Sequence, residues 1–238
     1  MRAITKHIPN FITCLNLFSG CIACVMAFDG NFLMAAVFIY IAAVLDFLDG
    51  LMARALKAYS EIGKQLDSLA DMVSFGLAPG MIMFSLLARI FFYKGAPDFA
   101  EYIPYIAFVI PVFSALRLAK FNIDDRQTTS FIGLPTPANA IFWASLACCL
   151  PSFLLQYYGI FLILFILVFS YLLVSELPMF SLKFKNLKWG DNAIRFIFIA
   201  LSALLLVFGI ENLYLVIVLY IIMSLIIAPF SKKEEKDL

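Results

Sequence analysis

Long apolar blocks alternate with short polar breaks along the whole chain. The apolar runs occupy about 10–28, 32–54, 66–93, 102–122, 137–157, 159–181, 192–210 and 212–230. A helix crosses the hydrocarbon core of a bilayer with roughly 20 apolar residues, so each run suits one span. The pattern predicts an all-α, polytopic transmembrane helical bundle of about eight spans. The breaks are too short for a second domain, and residues 1–238 read as one membrane domain. Only the ends are persistently polar. Residues 1–9 carry Arg2, Lys6 and His7 among Ile4 and Ile8, and fit either a short interfacial helix or a plain basic flank. Residues 231–238 read as a solvated, mixed-charge cytoplasmic tail.

Composition points the same way. Hydrophobic residues make up 64% of the chain and charged residues 14%, whereas soluble domains run near half apolar. Soluble enzymes and nucleic-acid binders are excluded on that ground. The net charge of +1 is uninformative, but the placement of the charges is not. With the amino terminus inside, fifteen of the seventeen lysines and arginines fall on inner segments, leaving Arg89 and Lys94 outside. That asymmetry predicts both termini in the cytoplasm and a cell (inner) membrane location. The first run resembles a signal peptide, yet no small-residue cleavage site precedes Asp29-Gly30-Asn31, so a retained first span is expected. Five cysteines lie in apolar stretches and His7 is the sole histidine, which argues against a His/Cys metal site. The cysteines read as membrane-packing residues.

Against this apolar background, four carboxylates stand out. Asp46 and Asp49 sit inside the second run, and Asp67 and Asp71 at the start of the third. Ionised carboxylates in a span cost a few kcal/mol each and mark functional sites by default. On a helix, Asp46, Asp49, Gly50, Ala53 and Arg54 fall within an arc of about 140°. Gly63, Lys64, Asp67, Asp71 and Ser74 share a similar arc on the next. The linker ALKAYSEI lets the two helices return side by side, with their acidic faces meeting in a cavity open to the cytoplasm. Four facing carboxylates need cations between them. All-oxygen ligands favour Mg²⁺ or Mn²⁺, and two such ions suit an in-line displacement at phosphorus. Gly50 and Ala53 leave room for a base or diphosphate, though small residues also serve tight helix packing. Arg54 suits a phosphate, or else anchors the helix at the interface.

Written out, Asp46-x2-Asp49-Gly50-x2-Ala53-Arg54-x8-Gly63-x3-Asp67-x3-Asp71 resembles the signature of the CDP-alcohol phosphotransferase family at all eight fixed positions. The resemblance implies a membrane helical fold with a six-span catalytic core, homodimeric assembly and two divalent cations held by the four aspartates. It implies that Asp46, Asp49 and Asp67 hold metal, while Asp71 both ligates and acts as catalytic base. Gly50, Ala53, Arg54 and Gly63 would line the CDP site, joined by Asn10 and Thr13. Further stretches narrow the likeness: Pro9-Asn10-x2-Thr13-x2-Asn16, the continuation of the third run through Val73-Ser74-Phe75-Gly76, Ala115–Asn122, and Phe131-x-Gly133-Leu134-Pro135-x-Pro137-Ala138. These look like members of the family that transfer a phosphatidyl group from CDP-diacylglycerol to L-serine, giving phosphatidylserine and CMP. The likeness runs over roughly residues 8–140 and is less specific in the last hundred, MFSLKFK at 179–185 included.

The acceptor site is less sharply drawn. Arg117 and Lys120 sit near the inner end of the fourth run, suited to a serine carboxylate, with Asn122, Thr136 and Asn139 as hydrogen-bonding candidates. Residue type alone equally allows positive-inside placement or lipid head-group binding for the two cations. Glu176, expected in the inner half of the sixth span, reads first as a partner for a cytoplasmic lysine and second as part of the acceptor cavity. Asp124, Asp125 and Asp191 read as loop and helix-start residues, and Trp143 and Trp189 as interfacial or packing aromatics. Two rival readings remain. Glycerol 3-phosphate or an inositol phosphate as acceptor calls for more arginines around the cavity. An ion transporter calls for polar or helix-breaking residues continuing outward through several spans. With no His-assisted nucleophile in the pattern, a single direct displacement is expected.

Overall fold

The computed structural model describes residues 7–92, 97–124, 131–150, 155–180 and 189–234. Outside that range fall most of the proposed interfacial helix (1–6), Lys94, Asp125, Arg126, the greater part of MFSLKFK with Lys188, and residues 235–238. Helix α1 spans Ile8–Phe28 and α2 spans Phe32–Ala55. A third rod comprises α3 (Glu61–Asp71), a π-helical turn (Met72–Leu77) and α4 (Ala78–Phe91). Tight 3-10 turns over Asp98–Phe108 lead into α5 (Val109–Ile123). Then come β1 (Phe131–Ile132), α6 (Thr136–Cys149), α7 (Leu155–Val174), β2 (Pro178–Met179), α8 (Trp189–Leu206) and α9 (Leu213–Glu234). The protein is an all-α transmembrane bundle. Among the described residues, five stretches are long and apolar enough to cross a membrane: Ile8–Phe28, Phe32–Ala55, Glu61–Phe91, Asp98–Ile123 and Ile210–Ile227. Shorter apolar helices cover Gly159–Val174 and Asn192–Leu206.

Small residues bring the first rods together. Ala23 and Ala27 of α1 are buried with Ala35, Ala36, Ile39 and Ala42 of α2, the close backbone approach that drives helix association in lipid. Gly20 sits so tightly against Ser74 that a Cβ there would overlap it. At the turn between α1 and α2, Gly30 adopts φ 72° and its carbonyl accepts a 2.9 Å hydrogen bond from Arg89 Nη2. The Arg89 guanidinium also lies 4.6 Å from the centre of the Phe32 ring. An aromatic core around Trp143, which is fully buried, stacks Phe142 on Phe169 at 3.9 Å between ring centres. Trp143 is thus a packing aromatic, whereas Trp189 is exposed and stacks on Phe196.

Four local features depart from the periodicity. The third rod begins at Glu61, five residues before its apolar run, because Ser60 Oγ caps it by accepting from the Gly63 N–H at 3.0 Å. The linker therefore shrinks to 56–60. The π-turn precedes Pro79, whose ring crowds the carbonyl four residues back and interrupts the regular ladder. Helix α7 stops at Val174, so Glu176 lies in a non-helical strap and not within a span; a residue preceding proline, here Leu177, disfavours the helical region. Finally, α9 continues to Glu234, into the stretch expected as tail.

Candidate active site

Helices α2 and α3 both pack against α1, and in that arrangement their acidic faces converge. One carboxylate oxygen each from Asp46, Asp49 and Asp67 all lie within 4.8 Å of one another. Asp71, one turn beyond Asp67 and 8% exposed, lies against Asp46 and Asp67. Helix α1 braces the cluster from the side. The Thr13 hydroxyl donates to Asp49 Oδ2 at 2.6 Å, and Asn16 Nδ2 donates to Asp71 Oδ1 at 3.5 Å. Asn16 is held in turn, its carbonyl accepting from Ser74 Oγ at 3.0 Å. The donor set is all oxygen and anionic, gathered where water is scarce, and like charges at this spacing stay ionised only with cations among them. Such a set fits hard divalent ions with flexible oxygen coordination.

Next to the aspartates opens a cavity of about 590 Å³ between the start of α1, the end of α2 and the start of α3. Asn10, Thr13, Gly50, Ala53 and Gly63 line it together with Asp49 and Asp67. A Cβ at Gly63 would lie 2.9 Å from Asn10 Oδ1 and 3.0 Å from Ser60 Oγ, so a side chain there would displace both polar groups. A Cβ at Gly50 would meet nothing closer than Arg54 Nη1, at 3.6 Å, and would project into open space. Arg54 itself is exposed at the rim, its guanidinium folded towards Gly50, and is not part of the wall.

A second cavity of about 300 Å³ lies between α5 and the strap after α7, lined by Arg117, Lys120, Asp124, Ile132 and Leu173–Glu176. Arg117 is 6% exposed; its Nη1 donates to Thr136 Oγ1 at 3.0 Å, and its buried Nε has no hydrogen-bond partner. Its charge acts on Asp71, which links this cavity to the acidic cluster. Lys120 Nζ donates to the Val174 carbonyl at 3.3 Å. The other two acceptor candidates are elsewhere. Asn122 Nδ2 donates to Ser68 Oγ at 2.8 Å, tying α5 to α3 beside Asp67, and Asn139 accepts from Trp143 Nε1 at 3.1 Å on the buried face of α6. The strap residue Glu176 is in the cavity wall. Thr136, a hydrogen-bonding candidate by sequence, accepts from Arg117, whereas Asn16 and Ser68 carry contacts that their sequence positions did not announce. For Asn16 a signal existed: an amide inside an apolar span, about one turn after Thr13.

The CDP-alcohol phosphatidyltransferase family model matches residues 6–172, and the chain belongs to this family. Its relatives are named for one acceptor. The chain is 34% identical over 172 residues to the CDP-diacylglycerol–serine O-phosphatidyltransferase of Bacillus subtilis strain 168, covering 72% of this chain and 89% of the relative. It is 32% identical over 224 residues to the Helicobacter pylori 26695 enzyme of the same name, covering 92% and 89%. It is 31% identical over 144 residues to the archaetidylserine synthase of Methanothermobacter thermautotrophicus, covering 59% and 58%.

Proposed function

We propose that the protein transfers the phosphatidyl group of CDP-diacylglycerol to the hydroxyl of L-serine, yielding phosphatidylserine and CMP. The observation that carries the acceptor is the buried, partly unsatisfied Arg117 guanidinium in a cavity that also holds Lys120, Glu176 and Asp124. Two cations beside two carboxylates match a zwitterionic amino acid better than a phosphorylated alcohol. In this reading the serine carboxylate meets Arg117 and Lys120 while the ammonium faces Glu176. The names of the relatives support the same acceptor.

The cytidine diphosphate occupies the larger cavity, where Gly50 and Ala53 keep the wall flat, Asn10 and Thr13 offer polar atoms, and Arg54 covers the mouth. Asp46, Asp49, Asp67 and Asp71 would hold two divalent cations, Mg²⁺ or Mn²⁺, which when bound stabilise negative charge on the attacking and leaving oxygens. Asp71, placed between the acidic cluster and Arg117, accepts the serine hydroxyl proton. The serine oxygen then forms its bond to the lipid-side phosphorus, and the phosphorus–oxygen bond to CMP breaks. Thr13 and Asn16 hold Asp49 and Asp71 in place throughout. The displacement is single, so a chiral phosphorus inverts. We further place the site on the cytoplasmic side of the inner membrane, with eight crossings, both termini inside, one domain and a homodimeric assembly. The basic-residue asymmetry and the family resemblance support that arrangement.

The direct test supplies purified protein with CDP-diacylglycerol, Mg²⁺ or Mn²⁺ and a panel of acceptors, and measures CMP release. Serine-dependent release that disappears in Asp71→Asn is the expected result. Equal turnover with glycerol 3-phosphate would remove the serine assignment.

A further inference from the structure

One wall of the smaller cavity, the strap after Val174, is not helical, and something must hold it. The end of α7 and the strap that follows are tied to the segment before α6 by backbone bonds: Gly133 N–H to Leu177 O at 2.8 Å and Leu134 N–H to Leu172 O at 2.9 Å. The antiparallel pairs Phe131–Met179 and Ile132–Pro178 continue the ladder. Beyond β2 the ladder ends, and the next carbonyl is taken by the last helix. Tyr220 of α9 donates its hydroxyl to Phe180 O at 3.0 Å. Its ring centre lies 4.9 Å from that of Phe180 and 5.9 Å from that of Phe198 on α8. Tyr220 is 7% exposed.

We propose that Tyr220 is a positioning residue for the acceptor: it anchors the strap that walls the cavity and fixes the environment of Arg117. The inference rests on reading that cavity as the acceptor site. Residue 220 lies outside the stretch matched by the family model, 6–172, so the last helix here gains a role in the reaction. The physical basis is the apolar surrounding. A satisfied hydroxyl–carbonyl bond in a dry interior holds firmly, and its loss leaves a buried carbonyl that must shift to find a partner. Such a shift displaces Ser175 and Glu176, and with them the cage around Arg117. The aspartate cluster and the larger cavity are built on α1, α2, α3 and the linker between the last two, and neither Tyr220 nor the strap lines them.

Tyr220→Phe removes only the hydroxyl and keeps the ring cluster. Steady-state CMP release by the purified full-length protein is compared with wild type, varying serine at saturating CDP-diacylglycerol and then the reverse. The expected result is a serine KM raised about five- to tenfold, with kcat within about twofold and the lipid KM unchanged. Combined with Arg117→Lys, its effect on serine KM falls short of the product of the two single effects. An unchanged serine KM overturns the proposal, as does an equal change in the KM for both substrates. Thermal melting of the variant is read alongside: a lower midpoint with an unaltered serine KM makes Tyr220 merely structural, and the proposal fails. If wild type ignores serine but uses another acceptor of the panel, the serine reading fails separately. The Tyr220 comparison then stands or falls on that acceptor's KM.

Discussion

At the scale of single residues, the site depends on how neutral side chains discipline charged ones. Thr13 and Asn16 are buried polar groups on an otherwise apolar helix, and each donates to one aspartate of the cluster. Outer partners of ligating carboxylates typically tune metal affinity or activity by 10–100-fold. Thr13→Val keeps the shape and deletes the donor; we expect activity to fall by about tenfold or more, with a raised Mn²⁺ requirement in a metal titration. Unaltered metal dependence would remove Thr13 from the site. Asp71→Asn is isosteric and cannot accept the hydroxyl proton. Its kcat should drop by about 10²–10⁴, while CDP-diacylglycerol still binds in an equilibrium assay. The residue types at the four acidic positions were legible because a carboxylate in a span has few innocent explanations. Asn122 and Asn139 were plausible by type and position, yet each is engaged with a neighbouring side chain, Ser68 and Trp143. Which partner a polar side chain takes is decided by whichever helix happens to face it.

At the scale of elements, two irregular pieces matter more than the regular spans. The first is the π-turn at Met72–Leu77, directly after Asp71. Its Gly76 faces Ser114 of α5, where a Cβ would sit 3.1 Å from the serine Cβ. Such single turns recur at functional sites because they change the register of the helix around them. The hydrophobic run passes through this region without a break, so periodicity alone gave a continuous helix. The second is the turn at Gly133, with φ 75° and three carbonyls around it: a Cβ would lie 2.6 Å from Leu173 O and 3.0 Å from Ser175 O. A side chain there meets both a left-handed backbone and a backbone clash, together costing on the order of 2 kcal/mol or more. Gly133→Ala should lower the thermal midpoint in detergent by several degrees and raise the acceptor KM. A variant that melts like wild type would show the strap to be loosely held.

Across the whole molecule, the metal site proposed for the four carboxylates would make stability and divalent metal interdependent. Ligands that bind only the folded state stabilise it by mass action, about 2.7 kcal/mol at a hundredfold excess over Kd. Adding Mg²⁺ or Mn²⁺ should therefore raise the melting midpoint of metal-stripped protein. The same shift should vanish when Asp46 and Asp49 are both changed to Asn. Chelator should abolish CMP release, and resupplied metal should restore it; full activity in chelator would dismantle the proposed chemistry. The orientation is testable independently. Reporter fusions at residue 1 and after residue 238 should both score as cytoplasmic, and one fusion exported would break the eight-crossing proposal.

The one-dimensional pattern was enough for the bundle, the order of its helices and the acidic pair of spans. Hydrophobic run length and the energetic penalty of buried charge act locally, and each is read within a single stretch of chain. Gly50 and Gly63 of the larger cavity were legible for the same reason, since each shares a face of its own helix with two of the aspartates, a local quantity. Tertiary structure decided the rest. It put Arg54 at the rim, took Glu176 out of the span into a strap, and left Asn122 and Asn139 out of the cavity wall that Arg117 and Lys120 line. It also brought Tyr220 from the last helix to a wall formed more than forty residues earlier. Those outcomes depend on which buried donor finds which acceptor across helices distant in the chain, and in an apolar interior that pairing is obligatory but not encoded in any one segment.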